Sequence, residues 1–267
     1  MISSSPKLPL TGIRFAYAIV FRNFAGLLRV SVLPLIMIAA ITVLPPLVLP
    51  AEWTGSGSDG RIRLTPALVD SAVSLLYLPF ASMIAVAWHN FVLRGTPLSL
   101  RFDFLQDREL RGYLALGAAF ELVSQVVIFA FALLIDQTVS HGRSSLWISA
   151  LCTWILFAVS VFVTIRLSPL FPAVAVSGGV TLAQAWRATR GNFWRLFWGG
   201  VLATGPMAVA MGLLAVWTEP YRGKAGLPFG MTLDALSIVA YYLAGVVELG
   251  FLSLAYRHFF ESPDPPA

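Results

Sequence analysis

Charged side chains are scarce in this chain. Asp, Glu, Lys and Arg make up 12% of its 267 residues, against about 25% in soluble domains. Hydrophobic residues make up 58%, and the mean hydropathy is +0.80. This balance excludes an ordinary soluble domain and indicates a membrane protein. The alternating segments of about ten residues that are typical of membrane β-barrels are also missing, so the membrane spans are predicted to be helices.

Cysteine is almost absent, and so are the usual catalytic motifs. Cys152 is the only cysteine and lies in an apolar run, so no intrachain disulfide forms. The chain contains no HExxH, GxSxG, Walker A or CxxC motif. His89 and His258 lack the further ligands that a metal site needs, and are expected to contact lipid headgroups. The sequence therefore predicts neither enzymatic activity nor a metal or cofactor.

Long apolar runs dominate what is present. Each run has roughly 20 residues, enough for a helix to cross a hydrocarbon core of ~30 Å. The fold class is therefore predicted as all-α: a polytopic integral membrane helical bundle of about six transmembrane helices plus two cytoplasmic interfacial amphipathic helices. One transmembrane domain is expected over 1–260, with a disordered tail over 261–267. The predicted spans are 30–50, 67–92, 112–135, 146–168, 196–217 and 233–256.

The first run shows no sign of a cleavable signal peptide. It ends in VLPPLVLPAEW, without the small-residue spacing of a cleavage site, and further spans follow. The fourth span is expected to end near Arg166, because an arginine in mid-bilayer costs at least ~2.5 kcal/mol.

The basic residues are distributed unevenly about the spans. Thirteen fall on the side of the two termini and five on the other side. The positive-inside rule therefore places both termini in the cytoplasm. The net charge of +5 and the pI of about 9.7 indicate anionic lipid rather than nucleic acid as partner, because the basic residues border the apolar spans. The thirteen are Lys7, Arg14, Arg22, Arg29, Arg94, Arg101, Arg108, Arg111, Arg166, Arg187, Arg190, Arg195 and Arg257.

Two segments have the pattern of helices that lie flat in the membrane interface. Over TLAQAWRATRGNFWRL (181–196), helical spacing groups apolar residues on one face and Arg187 and Arg195 on the other. Gly191 and Asn192 are expected to let the chain turn into the fifth span. Over TGIRFAYAIVFRNFAGLLRV (11–30), three arginines share a face opposite an apolar one. The residues predicted to contact the lipid interface are Arg14, Arg22, Trp186, Arg187, Arg190, Trp194 and Arg195. The apolar faces consist of Leu182, Trp186, Phe193 and Leu196 in one segment, and Ile13, Ile19, Val20, Phe24 and Leu27 in the other.

These two segments begin a possible parallel repeat, over 11–93 and 181–259. A shift of 169 residues aligns several identical residues, and in each unit a flat helix leads into a span, a loop and a returning span. Parallel repeats are common in transporters. The alternative is that two helical hairpins of similar length share apolar residues by chance. The identical pairs include Asn23 with Asn192, Phe24 with Phe193, Leu27 with Leu196, Val32 with Val201, and His89 with His258.

Two glutamates fall inside predicted spans. Glu121 and Glu248 each lie ten residues, or ~15 Å, from an inner boundary, and Gln125 lies one turn beyond Glu121 on the same face. Ionisable groups at this depth are candidates for a proton or cation site. The alternative is that each carboxyl is protonated and hydrogen-bonds a neighbouring helix.

Three stretches together resemble a known group of membrane proteins. They are AVAWHNFVLRG (85–95), DRELRGYL (107–114) and RLSPLFPAVAVSGGVTLAQAWRATRGNFWRL (166–196). They resemble six-span bacterial inner-membrane proteins that are similar to the membrane domain found ahead of some glycerophosphoryl diester phosphodiesterases. In those fused relatives the hydrolase activity belongs to a separate soluble domain. The resemblance therefore implies topology, and carries over no catalytic residue.

The favoured function is that of a non-enzymatic integral protein of the cytoplasmic membrane, associated with anionic lipid. It would organise the membrane, associate with a second copy of itself or act as partner of another membrane protein. The alternative is a small proton- or cation-coupled transporter or channel that uses Glu121 and Glu248. A membrane-embedded lipid enzyme is less favoured, since no paired catalytic groups share an interface.

Overall fold

A computed structural model describes residues 7–50, 64–103, 106–141, 143–222 and 226–261, in which all regular secondary structure is helical. A π-helical turn, Arg257–Glu261, follows the last helix. The tail predicted to be disordered lies outside the described residues from 262 onwards. The helices are α1 (Gly12–Arg22), α2 (Phe24–Val48), α3 (Leu64–Arg94), α4 (Arg108–His141), α5 (Arg143–Leu167), α6 (Leu170–Ala175), α7 (Leu182–Ala188), α8 (Phe193–Arg222) and α9 (Gly226–Tyr256).

Six segments in the described ranges are long and apolar enough to cross a membrane, with mean hydropathies of 1.7 to 2.2. The prediction of an all-α, multi-pass membrane protein is confirmed. The helix α5 ends at Leu167, one residue after Arg166, while the fourth apolar segment continues through α6 to Ala175, so the predicted end of the fourth span near Arg166 stays a prediction. The six segments are Phe24–Thr42, Leu68–Arg94, Arg108–Ala130, Ala150–Ala175, Phe193–Thr218 and Leu236–Glu261.

The first span begins earlier than predicted, because the helix before it is broken at Asn23. The Asn23 side chain donates to the carbonyl of Ile19 at 2.8 Å, and short polar side chains that bond to nearby backbone in this way interrupt helices. The second helix therefore starts at Phe24 rather than near residue 30. The prediction that Arg29 shares a face of one helix with the arginines of α1 is wrong, since Arg29 belongs to α2.

The helix predicted to lie flat before the fifth span is also shorter than predicted. It begins at a capping box in which the Thr181 side chain accepts from Gln184, whose own side chain accepts from the Thr181 backbone. It ends at Ala188, and a turn follows in which Gly191 has φ of +79°, a left-handed conformation that favours glycine. The predicted turn before the fifth span is confirmed. The predicted continuous face is wrong, because Phe193 and Leu196 lie on α8 and not on α7.

Contacts divide the chain into two compact units. The first contains Met1–Val32, Ile84–Phe102 and Arg166–Ala267, and the second contains Leu33–Met83 and Asp103–Ile165. In the first unit, α1 packs against α8 and α9. Its face of Ile13, Ala16 and Val20 is buried. In the second unit, Gly117 of α4 allows the Leu78 side chain of α3 to approach its backbone closely.

One contact between α1 and α8 compensates for a proline. Pro206 has no N–H, so the carbonyl of Leu202, four residues earlier, lacks its helical donor. The Tyr17 hydroxyl donates to this carbonyl at 3.2 Å and to that of Ala203 at 2.9 Å. Burial raises the pKa of the Tyr17 hydroxyl, which at its ordinary pKa is already a protonated donor at neutral pH. The contact therefore fixes α1 at the proline of α8.

Burial supports the internal repeat, which stays a prediction. With the same shift of 169 residues, the first residue of α2 (Phe24) corresponds to the first residue of α8 (Phe193). Across α1 and α2 and the corresponding residues 181–217, five pairs are buried in both copies, although farther along His89 is buried and His258 only half-buried. A chance similarity of apolar composition does not require the same positions to be buried. The five pairs are Ala16 with Ala185, Val20 with Thr189, Leu27 with Leu196, Val30 with Gly199, and Pro34 with Ala203.

Candidate functional site

Basic residues gather at one end of the first unit. We call this region the arginine-rich end, and it includes Arg94, Arg166, Arg195, Arg257 and the turn 189–192. Arg94 donates to the carbonyl of Val176, and to Asn90 Oδ1 at 2.9 Å. Asn90 in turn donates to the carbonyl of Ala175 at 2.9 Å. These two side chains of α3 cap the carbonyl end of α6, whose last C=O groups have no helical partner.

Arg166 plays the same part for α7. Its Nη2 donates to the carbonyl of Trp186, and its Nε donates to Thr189 Oγ1 at 3.2 Å. The guanidinium carbon lies 4.1 Å from the centroid of the Trp186 ring, which is cation–π geometry. The side chain is 8% exposed. Arg166 therefore caps the carbonyl end of α7 and packs against the Trp186 ring.

Two more arginines bind backbone carbonyls. Arg257 donates to the carbonyl of Val92 at 2.7 Å. Arg195 donates to the carbonyl of Leu8 at 2.7 Å, and the Leu8 N–H donates to Asn192 Oδ1 at 2.9 Å. Arg195 was predicted to contact the lipid interface, and the structure places it half-buried against the N-terminal segment. Four of the basic residues counted in the sequence therefore stabilise helix ends and loop backbone.

A second group of arginines points outward. Arg14 and Arg22 are exposed on α1, and next to them in the chain Phe15 and Phe21 are 63% and 64% exposed. The apolar face that the sequence assigned to the bilayer is instead buried against α8 and α9. The rings available to a membrane are therefore Phe15 and Phe21, which sequence reasoning missed. The signal was their spacing, since Arg14 with Phe21 and Phe15 with Arg22 are each seven residues, or two turns, apart.

The other outward arginines flank the turn between α7 and α8. Arg187 is exposed, and its Nε donates to the carbonyl of Ala183 in its own helix at 3.2 Å. Arg190 is exposed on the turn, and its side chain makes no hydrogen bond or ion pair with any residue that the structure describes. On the first turns of α8, the rings of Trp194 and Trp198 are 65% and 50% exposed. Trp186, predicted to contact the interface, is 38% exposed beside Arg166.

Acidic residues are missing from the segments that supply these arginines. Residues 137–218 contain five arginines and no Asp or Glu, and residues 1–51 contain Lys7 and three arginines and again no Asp or Glu. Carboxylates within these segments therefore cannot neutralise the exposed guanidinium groups. Positive charge without local compensation attracts anions, and guanidinium matches the geometry of phosphate.

The second unit contains the hydrogen-bonded chain that the sequence suggested around Glu121. Gln125 Nε2 donates to Glu121 Oε1 at 2.6 Å, which confirms that the two side chains share a face of α4. The Ser71 hydroxyl of α3 donates to Gln125 Oε1 at 2.8 Å. The Gln125 amide thus donates to Glu121 of its own helix and accepts from Ser71 of α3, so it links α4 to α3.

Glu248 lies in the first unit, on α9. It is half-buried, and its carboxylate makes no hydrogen bond or ion pair within the described ranges. Since Glu121 lies in the second unit, a site shared by the two carboxylates stays a prediction.

His89 does not lie where headgroup contact requires. It is fully buried in the first unit, and its Nδ1 lies 2.7 Å from Ser253 Oγ. The expectation of a headgroup contact is therefore wrong for His89, because a short hydrogen bond to α9 holds the ring inside. His258 is half-buried, with its ring 5.4 Å from that of Phe259. Within the described ranges, no three His, Cys, Asp or Glu side chains are grouped so as to hold a metal ion.

Comparison of the chain with protein-family models, with curated proteins and with solved structures found no match.

Proposed function

We propose that this chain is a non-catalytic integral protein of a bacterial cytoplasmic membrane, and that the exposed arginines of its first unit, on α1 and at the turn 189–192, bind anionic lipid headgroups on the cytoplasmic side. In this role it organises the membrane around it or presents a surface to another membrane protein. The observation that carries the proposal is the outward face of α1, where Arg14, Phe15, Phe21 and Arg22 are exposed while the opposite face is buried in the protein.

This arrangement suits the boundary between headgroups and acyl chains. Aromatic rings are stable at that depth, and guanidinium groups beside them reach the phosphates. Each basic residue near an anionic surface contributes about 1 kcal/mol. Arg14, Arg22 and Arg190 make no side-chain hydrogen bond or ion pair within the described ranges, so phosphates do not compete with other partners for them.

The lipid that the purified chain retains tests this proposal. The chain is extracted from mixed vesicles of phosphatidylglycerol and phosphatidylcholine. We expect the lipid that it retains to be enriched at least about twofold in phosphatidylglycerol, since several basic residues each contribute to binding. An Arg14→Gln, Arg22→Gln double variant should lose part of the enrichment. The matched control is Arg143→Gln with Arg222→Gln, which removes the same charge from the predicted outer side. Equal retention of both lipids by the unmodified chain would contradict the proposal.

Transport of protons or cations is the second candidate, and the hydrogen-bonded chain from Ser71 through Gln125 to Glu121 favours it. A carboxylate within a span is the kind of group that proton and cation pathways use, and Gln125 and Ser71 hold this one in a hydrogen-bonded position between α3 and α4. Under the first proposal, vesicles containing the chain show no more proton flux than empty vesicles. A flux that Glu121→Gln abolishes and Glu109→Gln preserves would favour transport instead.

A further inference from the structure

We propose that Arg190, with Arg166 and Trp186 beside it, forms a distinct site for the phosphate group of one anionic phospholipid. The inference rests on the proposed function, and it assigns the tightest headgroup contact to the turn 189–192 rather than to α1. The site lies within the first unit, where α7 and α8 meet.

Two positive charges meet at this turn. Arg190 directly follows Thr189, whose Oγ1 lies 3.2 Å from Arg166 Nε, so the like charges of Arg190 and Arg166 repel each other. Arg166 is 8% exposed and cannot move away, because its Nε and Nη2 are bound to Thr189 and Trp186. A fixed, desolvated charge behind an exposed one creates a stronger positive potential than either alone. An anion at Arg190 relieves this repulsion.

The turn holds the backbone of Arg190 in one conformation. The Arg190 N–H donates to the carbonyl of Arg187 at 3.1 Å, and the Asn192 N–H donates to the carbonyl of Thr189 at 3.0 Å. Thr189 is itself buried and donates its hydroxyl to the carbonyl of Ala185 at 2.9 Å. A site held in one conformation before binding loses less entropy when the ligand arrives.

The surroundings favour a phospholipid over a soluble phosphate. The exposed rings of Trp194 and Trp198 follow the turn along the first turns of α8, and α8 is one of the membrane-spanning helices. A ligand whose phosphate contacts Arg190 can lay its apolar chains along these rings. Trp186 is partly exposed beside Arg166, and its ring lies where the phosphate of such a ligand would meet the apolar chains.

The test is native mass spectrometry of the full chain in detergent, titrated separately with phosphatidylglycerol, phosphatidylcholine and glycerol 3-phosphate. Arg190→Gln is expected to weaken binding of the first phosphatidylglycerol about tenfold or more, as loss of a charge-assisted contact predicts. Arg190→Lys, which keeps the charge but not the planar fork, should recover part of it. Arg14→Gln removes an exposed arginine from α1 and should weaken the same step by about fivefold at most, the general contribution of one basic residue near an anionic surface.

The outcomes separate this site from the broader proposal. If the unmodified chain prefers phosphatidylglycerol but Arg190→Gln and Arg14→Gln behave alike, the site is overturned and the lipid-binding function stands. If the unmodified chain shows no preference, the function fails and the site fails with it. Binding of glycerol 3-phosphate as tight as that of phosphatidylglycerol, and lost in Arg190→Gln, would overturn the assignment to a lipid. Because Arg190 is exposed, the Gln variant should fold like the unmodified chain.

Discussion

Replacing Gly199 with alanine is expected to lower the free energy of unfolding by about 2–3 kcal/mol, the upper part of the range for overpacking a buried contact. Gly199 of α8 lies against Phe251 of α9, and a Cβ placed on Gly199 would overlap the Phe251 ring. Phe251 is 1% exposed, so its ring has no free space into which to move. The added methyl group must therefore separate the two helices.

Gly200 provides a matched control in the same helix. A Cβ on Gly200 meets no atom within 4 Å, so Gly200→Ala is expected to be neutral or to stabilise by about 0.5–1 kcal/mol through the better helix propensity of alanine. Unfolding in a titrated denaturing detergent, followed by circular dichroism, compares the two variants. Equal stability of Gly199→Ala and Gly200→Ala would show that α8 and α9 do not pack as described.

Arg166→Ala is expected to cost about 3 kcal/mol. The substitution removes a cation–π contact with Trp186 and two hydrogen bonds, one to the Trp186 carbonyl and one to Thr189. Hydrogen bonds to charged groups contribute about 1.5–3 kcal/mol each, and such contributions do not add up in full. It also leaves the Trp186 carbonyl at the end of α7 with the longer bond from the Thr189 hydroxyl, at 3.3 Å, in place of the guanidinium. Arg166→Lys should recover only part of the loss, because an ammonium group cannot stack and donate as a planar fork does.

The control for Arg166 is Arg190→Ala, which removes an equal charge from the same region. Its exposed side chain makes no hydrogen bond or ion pair within the described ranges, so the change in unfolding free energy should stay within about 0.5 kcal/mol. The same detergent titration measures both variants. A stable Arg166→Ala protein would show that α7 does not depend on this arginine.

The membrane-spanning helices could be predicted from the sequence because hydropathy is a local property. Runs of about 20 apolar residues are recognisable without any tertiary contact. The turn at Gly191 was also predictable, since glycine before asparagine is a strong local breaker. The break at Asn23 was missed. This break depends on a hydrogen bond from the Asn23 side chain to the Ile19 carbonyl. Such a bond gives the backbone only a slight preference for a break over a continuous helix.

The roles of the individual arginines could not be read from the sequence. Arg195 and Arg190 stand five residues apart with the same chemistry, yet Arg195 binds the carbonyl of Leu8 and Arg190 is exposed. The difference arises from a contact between residues 187 positions apart in the chain, which no local pattern encodes. The outward rings of α1 were missed for the same reason, because the more apolar face packs against α8 and α9 rather than against lipid.

The most direct test of this account is the side of the membrane on which the arginine-rich end lies. In a background of Cys152→Ser, single cysteines at Arg190→Cys and, in the predicted outer loop, Ser58→Cys can be treated with a membrane-impermeant maleimide on intact cells. The account predicts labelling at position 58 in intact cells, and labelling at position 190 only after the membrane is permeabilised. Labelling at position 190 in intact cells would contradict it.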